Sequence, residues 1–240
     1  MKKITFLLFL VLCTSCNVFY NTVVGIDTSP KWLTNKTLIK EFNKQQIPLQ
    51  NRYVLDTSSY HNAILKNYND IVLTMDSSKN EDSIVKKNLY KVTKDDTQPV
   101  QVRYFDSDYN QIFKIVNCYI DNPLAIDWNV NNCFDVYPPR INIDDLNNDK
   151  KKLPFFIEHI YTVSNEKVVI EDLPKSDYYV LVFWNSFFRK PSKKLIKTIK
   201  KFENDNKIKN TYILYVNNQN AEIWSHIDKE QKSKLNLSTE

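Results

Sequence analysis

The sequence predicts an α/β protein, with an α+β arrangement as the alternative: a mixed sheet built around a strand–helix–strand unit at 178–217, with β-hairpins upstream. Three observations predict it. Tyr178 to Trp184 is an unbroken apolar run, as suits a strand buried on both faces. Leu195, Ile196, Ile199 and Phe202 recur on one face of a helix that Pro191 can begin. Thr211 to Val216 is a second apolar run, so the three form a βαβ unit with an expected right-handed crossover.

The elements before this unit follow from local pattern. A helix is expected around Leu38, Ile39 and Phe42, capped by Thr34 or Asn35 and ended before Pro48. Arg52 to Asp56 reads as a short strand, and Ser58 to Tyr68 as a helix started by Ser58 or Ser59. Ile71 to Met75 is β-rich and apolar, hence an expected strand. Asp82 to Tyr90 reads as a helix. Pro99 to Asp106 and Gln111 to Ile120 form a hairpin, in which Val100, Val102 and Tyr104 alternate with polar residues and 106–110 supplies the turn. Residues 121–140 look irregular, and 144–152 is the polar stretch best suited to a linker. A second hairpin is expected from Phe155–Val163 and Lys167–Ile170. The resulting division is an N-terminal α/β region at 32–143 and a C-terminal βαβ region at 153–228, with polar residues after Lys229.

Composition limits the chemistry. The 240-residue chain has one glycine, Gly25. Walker loops, dinucleotide fingerprints and Gly-flanked nucleophile elbows all need glycines for tight turns or close backbone approach. No such motif is present, and no cofactor is indicated. Asparagine is expected to fill turn positions of positive φ, with Asn131-Asn132, Asn147-Asn148 and Asn217-Asn218 as candidates. A net charge of +5 with both signs interspersed is not a nucleic-acid binder's balance.

The first residues have the order of an export signal. Met1-Lys2-Lys3 is a positive start, and Ile4 to Leu12 is an apolar run too short to span a bilayer. Cys13-Thr14-Ser15-Cys16 follows. This segment resembles the lipobox of bacterial lipoproteins, in the relaxed form familiar from Bacteroidota, whose genomes also suit the Asn-, Lys- and Ile-rich composition. The usual leucine three places before the cysteine is here Cys13. The resemblance implies removal of residues 1–15, diacylglycerol on Cys16, a tether over 16–31, and attachment to a membrane of the cell envelope. Asn17 lacks the aspartate that retains some such proteins at the inner membrane, so the outer membrane is the expected site.

Val180-Leu181-Val182-Phe183-Trp184-Asn185-Ser186-Phe187, with Pro191 and the helix through Phe202, resembles thioredoxin-fold proteins over about forty residues. That family carries Cys-x-x-Cys where this chain has Phe188-Arg189-Lys190-Pro191-Ser192. The hairpin led by Gln98-Pro99-Val100 resembles the family's proline-led hairpin, which implies a cis Pro99 beside the same loop. Here the hairpin precedes the βαβ unit. Without a thiolate at the helix start, the resemblance implies a redox-inactive member.

Remaining candidates are few. Cys118 and Cys133 are a possible disulfide, two buried thiols or a redox pair; a bond closing that loop would contribute about 3 kcal/mol in the chain-entropy model. Trp128 and Asn129 are candidates for a small-ligand or glycan site. Asp106, Asp108 and Asn110 have calcium-loop spacing, but Gln111 and Asn117 stand where glycine and glutamate are needed, so a turn is the better reading. His61, His159 and His226 share no metal-ligand spacing. Lys193, Lys194, Lys197, Lys200 and Lys201 form a solvated helix face. The reading as a whole is a non-catalytic envelope lipoprotein that contacts another envelope protein. Its rivals are a thiol oxidoreductase using Cys118 and Cys133, a hydrolase with a spatially assembled site, and a ligand-binding lipoprotein.

Overall fold

A computed structural model describes residues 24–73, 80–120, 126–140, 151–206, 210–228 and 230–233. Cys16, Asn147-Asn148 and most of the expected linker lie outside them. Six strands form one mixed sheet: β1 (Arg52–Leu55), β2 (Gln101–Asp106), β3 (Gln111–Val116), β4 (Ile160–Thr162), β5 (Tyr178–Trp184) and β6 (Thr211–Asn217), in the order β3-β2-β5-β6-β1-β4. β5 and β6 are parallel, as are β6 and β1; the other pairs are antiparallel. Among the described residues six α-helices accompany them: α1 (Asn35–Lys44), α2 (Ser59–Leu73), α3 (Asn80–Asp96), α4 (Leu153–Ile157), α5 (Arg189–Asp205) and α6 (Gln219–His226). The chain is an α/β protein of thioredoxin-like class. The two expected regions supply strands to the same sheet, since β1 lies between β6 and β4.

The sheet is buried on both faces. Val180, Val182 and Trp184 of β5 join Val100, Val102, Tyr104 and Tyr215 under α1 and α5. Tyr179, Leu181 and Phe183 face the other way, with Leu55, Leu214 and Val216, under α2, α4 and α6. This alternation explains why the β5 segment is apolar throughout. α1 is capped by Thr34, whose side chain accepts from Thr37 N–H, as expected. At its other end Lys200 of α5 donates to the carbonyls of Gln45 (2.7 Å) and Gln46 (2.8 Å), two groups the helix terminus leaves open.

Several expectations are corrected. Of the strand expected at 71–75, residues 71–73 are instead the end of α2, with Leu73 83% exposed, and 74–75 lie outside the described residues. The first arm of the second hairpin begins as helix, at residues 155–157. Pro154 lies in the first turn of α4, Phe156 and Ile157 are buried on that helix, and only Ile160–Thr162 is strand. α6 has no counterpart in the sequence reading. Positive φ occurs at Asn131, Asn132 and Asn165, but also at Gln46 and Tyr109, and not at Asn217 or Asn218. The Gln98–Pro99 bond is trans; a cis bond precedes Pro138.

The polar positions of β2 are buried too. Arg103 is wholly buried and pairs with Asp96 at 2.5 Å, donates to Gln101 and Gln111, and lies over the Phe156 ring. Lys151 reaches the second Asp96 oxygen at 2.6 Å as an ion pair. Neighbouring Asp95 takes Lys114 at 3.4 Å and the Tyr119 hydroxyl at 2.6 Å. This network puts charge in the interior only where partners surround it.

Candidate functional site

Parallel β5 and β6 end at Trp184 and Asn217, which pair in register. In open α/β sheets the crevice beyond such ends is the usual place for a site. Asn185 and Asn218 follow the two strands, both buried. Asn185 Nδ2 donates to the Pro99 carbonyl (3.1 Å) and to Asn218 Oδ1 (3.0 Å). Asn218 Nδ2 donates to the same carbonyl (2.9 Å) and to Glu222 Oε1 (3.2 Å). Asn185 Oδ1 accepts from Phe188 N–H (2.8 Å), and Ser192 Oγ accepts from Asn185 N–H (3.2 Å). Pro99 therefore does lie beside the Trp184 loop. Hydrogen-bonded amides hold the two together.

The segment before α1 completes the site. Asp27 N–H donates to Phe187 O (2.7 Å), Lys190 N–H to Gly25 O (3.3 Å), and Ile26 bridges Phe188. Gln219 Nε2 donates to Lys31 O (2.6 Å), and the Asn220 side chain both accepts from and donates to the Leu33 backbone. Residues 24–33 thus form a strap across the β5–α5 loop and the start of α6. Gly25 has φ +75, and a Cβ there would meet Lys190 Cγ at 2.3 Å, so both backbone and space call for glycine.

Between strap, loop, Pro99 and α6 lies a half-open cavity of about 380 Å³. Its walls are Ile26, Pro30, Pro99, Phe187, Phe188 and Ile223, with Asp27, Thr97, Glu222 and His226 as the polar groups. A small number of polar groups on apolar walls is the usual composition of a binding pocket. No cysteine among the described residues lines it. Glu222 is buried, and His61 Nε2 stands 3.6 Å from its Oε1.

The residues singled out from sequence lie elsewhere. Cys118 and Cys133 are free thiols with different partners: exposed Cys118 faces Asp95 Oδ1 at 3.8 Å, and buried Cys133 donates to Trp128 O at 3.4 Å. Burial pushes the Cys133 thiol up to about 12 and raises Cys118 as well, helped by Asp95. Trp128 is in the core, its indole N–H donating to Pro191 O. Asn129 shapes its own loop by accepting from Phe134 N–H and donating to Asp135. Asp106 caps its turn, accepting from Asp108 and Asn110 N–H.

His159 is buried beside Ser59, with Ser59 Oγ 2.9 Å from Nδ1 and Asp56 accepting from Ser58 and Ser59 N–H. This is the N-terminal cap of α2, and burial lowers the imidazole below its ordinary range. Among the described residues no group of three or more His, Cys, Asp or Glu side chains is placed to hold a metal ion. No helix among them is long and apolar enough to cross a membrane.

Sequence reasoning missed Glu222, Asn185 and Asn218 as site residues. The usable signal was positional, because Asn185 and Asn218 follow the two clearest strands. Comparison of the chain with protein-family models, with curated proteins and with solved structures finds no match.

Proposed function

We propose that this chain is an exported lipoprotein, anchored through Cys16 to an envelope membrane, whose redox-inactive thioredoxin-like domain binds a segment of a partner protein in the cavity at the ends of β5 and β6. The observation that carries this is the cavity itself. It stands between Pro99 and the Phe187-Phe188 loop, where the thiol-active proteins of the resemblance keep their chemistry, and no described residue of its lining carries a thiol. At the helix start Ser192 is buried and spends its oxygen on Asn185 N–H, so it holds the loop instead of attacking a substrate.

The anchor and the site are close along the chain. From Cys16 to Val24 an extended backbone reaches at most about 29 Å. A partner bound at the strap would therefore lie near the membrane surface. Thiol exchange through Cys118 and Cys133 draws no support from a buried, high-pKa Cys133. Binding of a small molecule in the same cavity is the second reading, favoured by a volume at the small end of ligand pockets.

The test is a quantitative crosslinking pull-down of the native protein from its own envelope, with Cys16→Ala and Ile223→Trp as controls. A partner lost with Ile223→Trp, which fills the cavity, and redistributed with Cys16→Ala supports the proposal. A partner retained by Ile223→Trp places the contact elsewhere.

A further inference from the structure

The cavity is selective in its chemistry. Three of its four polar side chains, Asp27, Thr97 and Glu222, present acceptors. Thr97 spends its hydroxyl proton on Lys94 O at 3.0 Å, leaving lone pairs. His226 Nδ1 lies 2.7 Å from the Glu222 carbonyl, an acceptor, so Nδ1 carries a proton. Glu222 Oε1 takes Asn218, while its Oε2 takes no hydrogen bond among the described residues. Asp27 uses one oxygen for Ser29 N–H. Among the described residues the lining contains two carboxylates and no lysine or arginine, in a chain whose basic residues outnumber the acidic by 33 to 28.

A buried carboxylate is costly without a compensating cation. His61 Nε2 stands 3.6 Å from Glu222 Oε1, within ion-pair reach but too long for a hydrogen bond, so Oε2 is left for a further donor. The apolar walls include Phe187 and Phe188, whose rings lie 4.9 Å apart and can stack on a delocalised cation. An occupant must therefore be a donor-rich cation on an aliphatic stem, which describes arginine better than any other side chain.

We infer that the cavity takes an arginine side chain of the partner, its guanidinium meeting Glu222 and Asp27 and its methylenes lying against Pro99 and Ile223. This rests on the reading of the cavity as a binding site. Anionic groups and acidic peptide segments are excluded from it by the same acceptors.

The experiment is a nuclear magnetic resonance titration of the isotopically labelled chain with n-butylguanidinium, n-pentanol and pentanoate. The expected order of binding is guanidinium, then alcohol, then carboxylate, with shifts at Ile26, Thr97, Phe188 and Ile223. Glu222→Gln should weaken guanidinium about tenfold and leave the alcohol unchanged. If that variant does not fold, Asp27→Asn on the exposed strap should weaken it about threefold. Alcohol or carboxylate binding as tightly as guanidinium overturns the inference and leaves the cavity a binding site. No shift with any probe removes the inference and the binding site together. A second arm compares acetyl-Ala-Arg-Ala-amide with free L-arginine. The blocked peptide should bind more tightly, and tighter binding of the free amino acid overturns the assignment to a partner's side chain.

Discussion

Replacing Gly25 with alanine puts a methyl group where the structure has no room for one. The backbone at Gly25 has φ +75, a left-handed conformation that costs an L-residue about 1–2 kcal/mol. The new Cβ would also lie 2.3 Å from Lys190 Cγ and 2.7 Å from Lys190 Cβ. The near end of a side chain at the start of α5 cannot swing away without moving the helix. The strap has a cheaper response, which is to lift, giving up the Asp27 N–H to Phe187 O and Lys190 N–H to Gly25 O bonds. The conformational term alone raises opening of the strap by roughly 5- to 30-fold, and the overlap adds to it. Hydrogen exchange measures this directly. Asp27 and Lys190 amides should exchange faster by at least that factor, while amides of β5 keep their protection. Because Ile26, Asp27 and Pro30 form one wall, binding in the cavity should weaken in parallel. Wild-type exchange at Asp27 and Lys190 in Gly25→Ala would refute the reasoning.

Three further outcomes are expected. Asp96→Ala strands Arg103, which is wholly buried, so urea denaturation should show a loss of about 3–5 kcal/mol; a loss below 1 kcal/mol, as is usual for an exposed pair, would contradict the buried network. His159 has a folded-state pKa held below its ordinary value by burial, so the unfolded chain binds more protons in that interval. Stability should therefore fall as pH drops below about 6.5, and thermal melts of His159→Asn should lose that part of the pH dependence. Alkylation followed by peptide mapping of the folded chain should modify Cys118 and spare Cys133, since one is exposed and the other buried with its thiol raised to about 12; equal labelling would reopen thiol chemistry.

Much of the sheet was legible because its signals are local. β5 is a continuous apolar run since helices cover both its faces, and α1 announces itself through Thr34 and the Leu38–Phe42 spacing. Ile71-Val72-Leu73 misled because β-rich composition does not distinguish a strand from the last turn of a helix whose tip is exposed. Phe155-Phe156-Ile157 misled in the same way, short apolar runs being ambiguous between helix and strand. The alternation in β2 was visible, but not that its polar members would be buried in an ion network, because Asp96 ends the preceding helix with no local sign of its burial and Lys151 comes from a distant segment. The cavity was not legible at all. Its walls come from 26–30, 97–99, 187–188 and 222–226, and no local pattern links them. The lone glycine lies where the strap meets the loop, against Lys190.

Site-specific photo-crosslinking in living cells tests the central claim most directly. A benzoylphenylalanine placed at Phe187, at the cavity wall, is compared with one at Leu49, which is 74% exposed and lies outside the cavity lining. The account predicts one dominant crosslinked protein from position 187, absent from position 49 and lost when Ile223→Trp fills the cavity. The same yield from both positions, or no crosslink at 187 with the protein folded and exported, would contradict it.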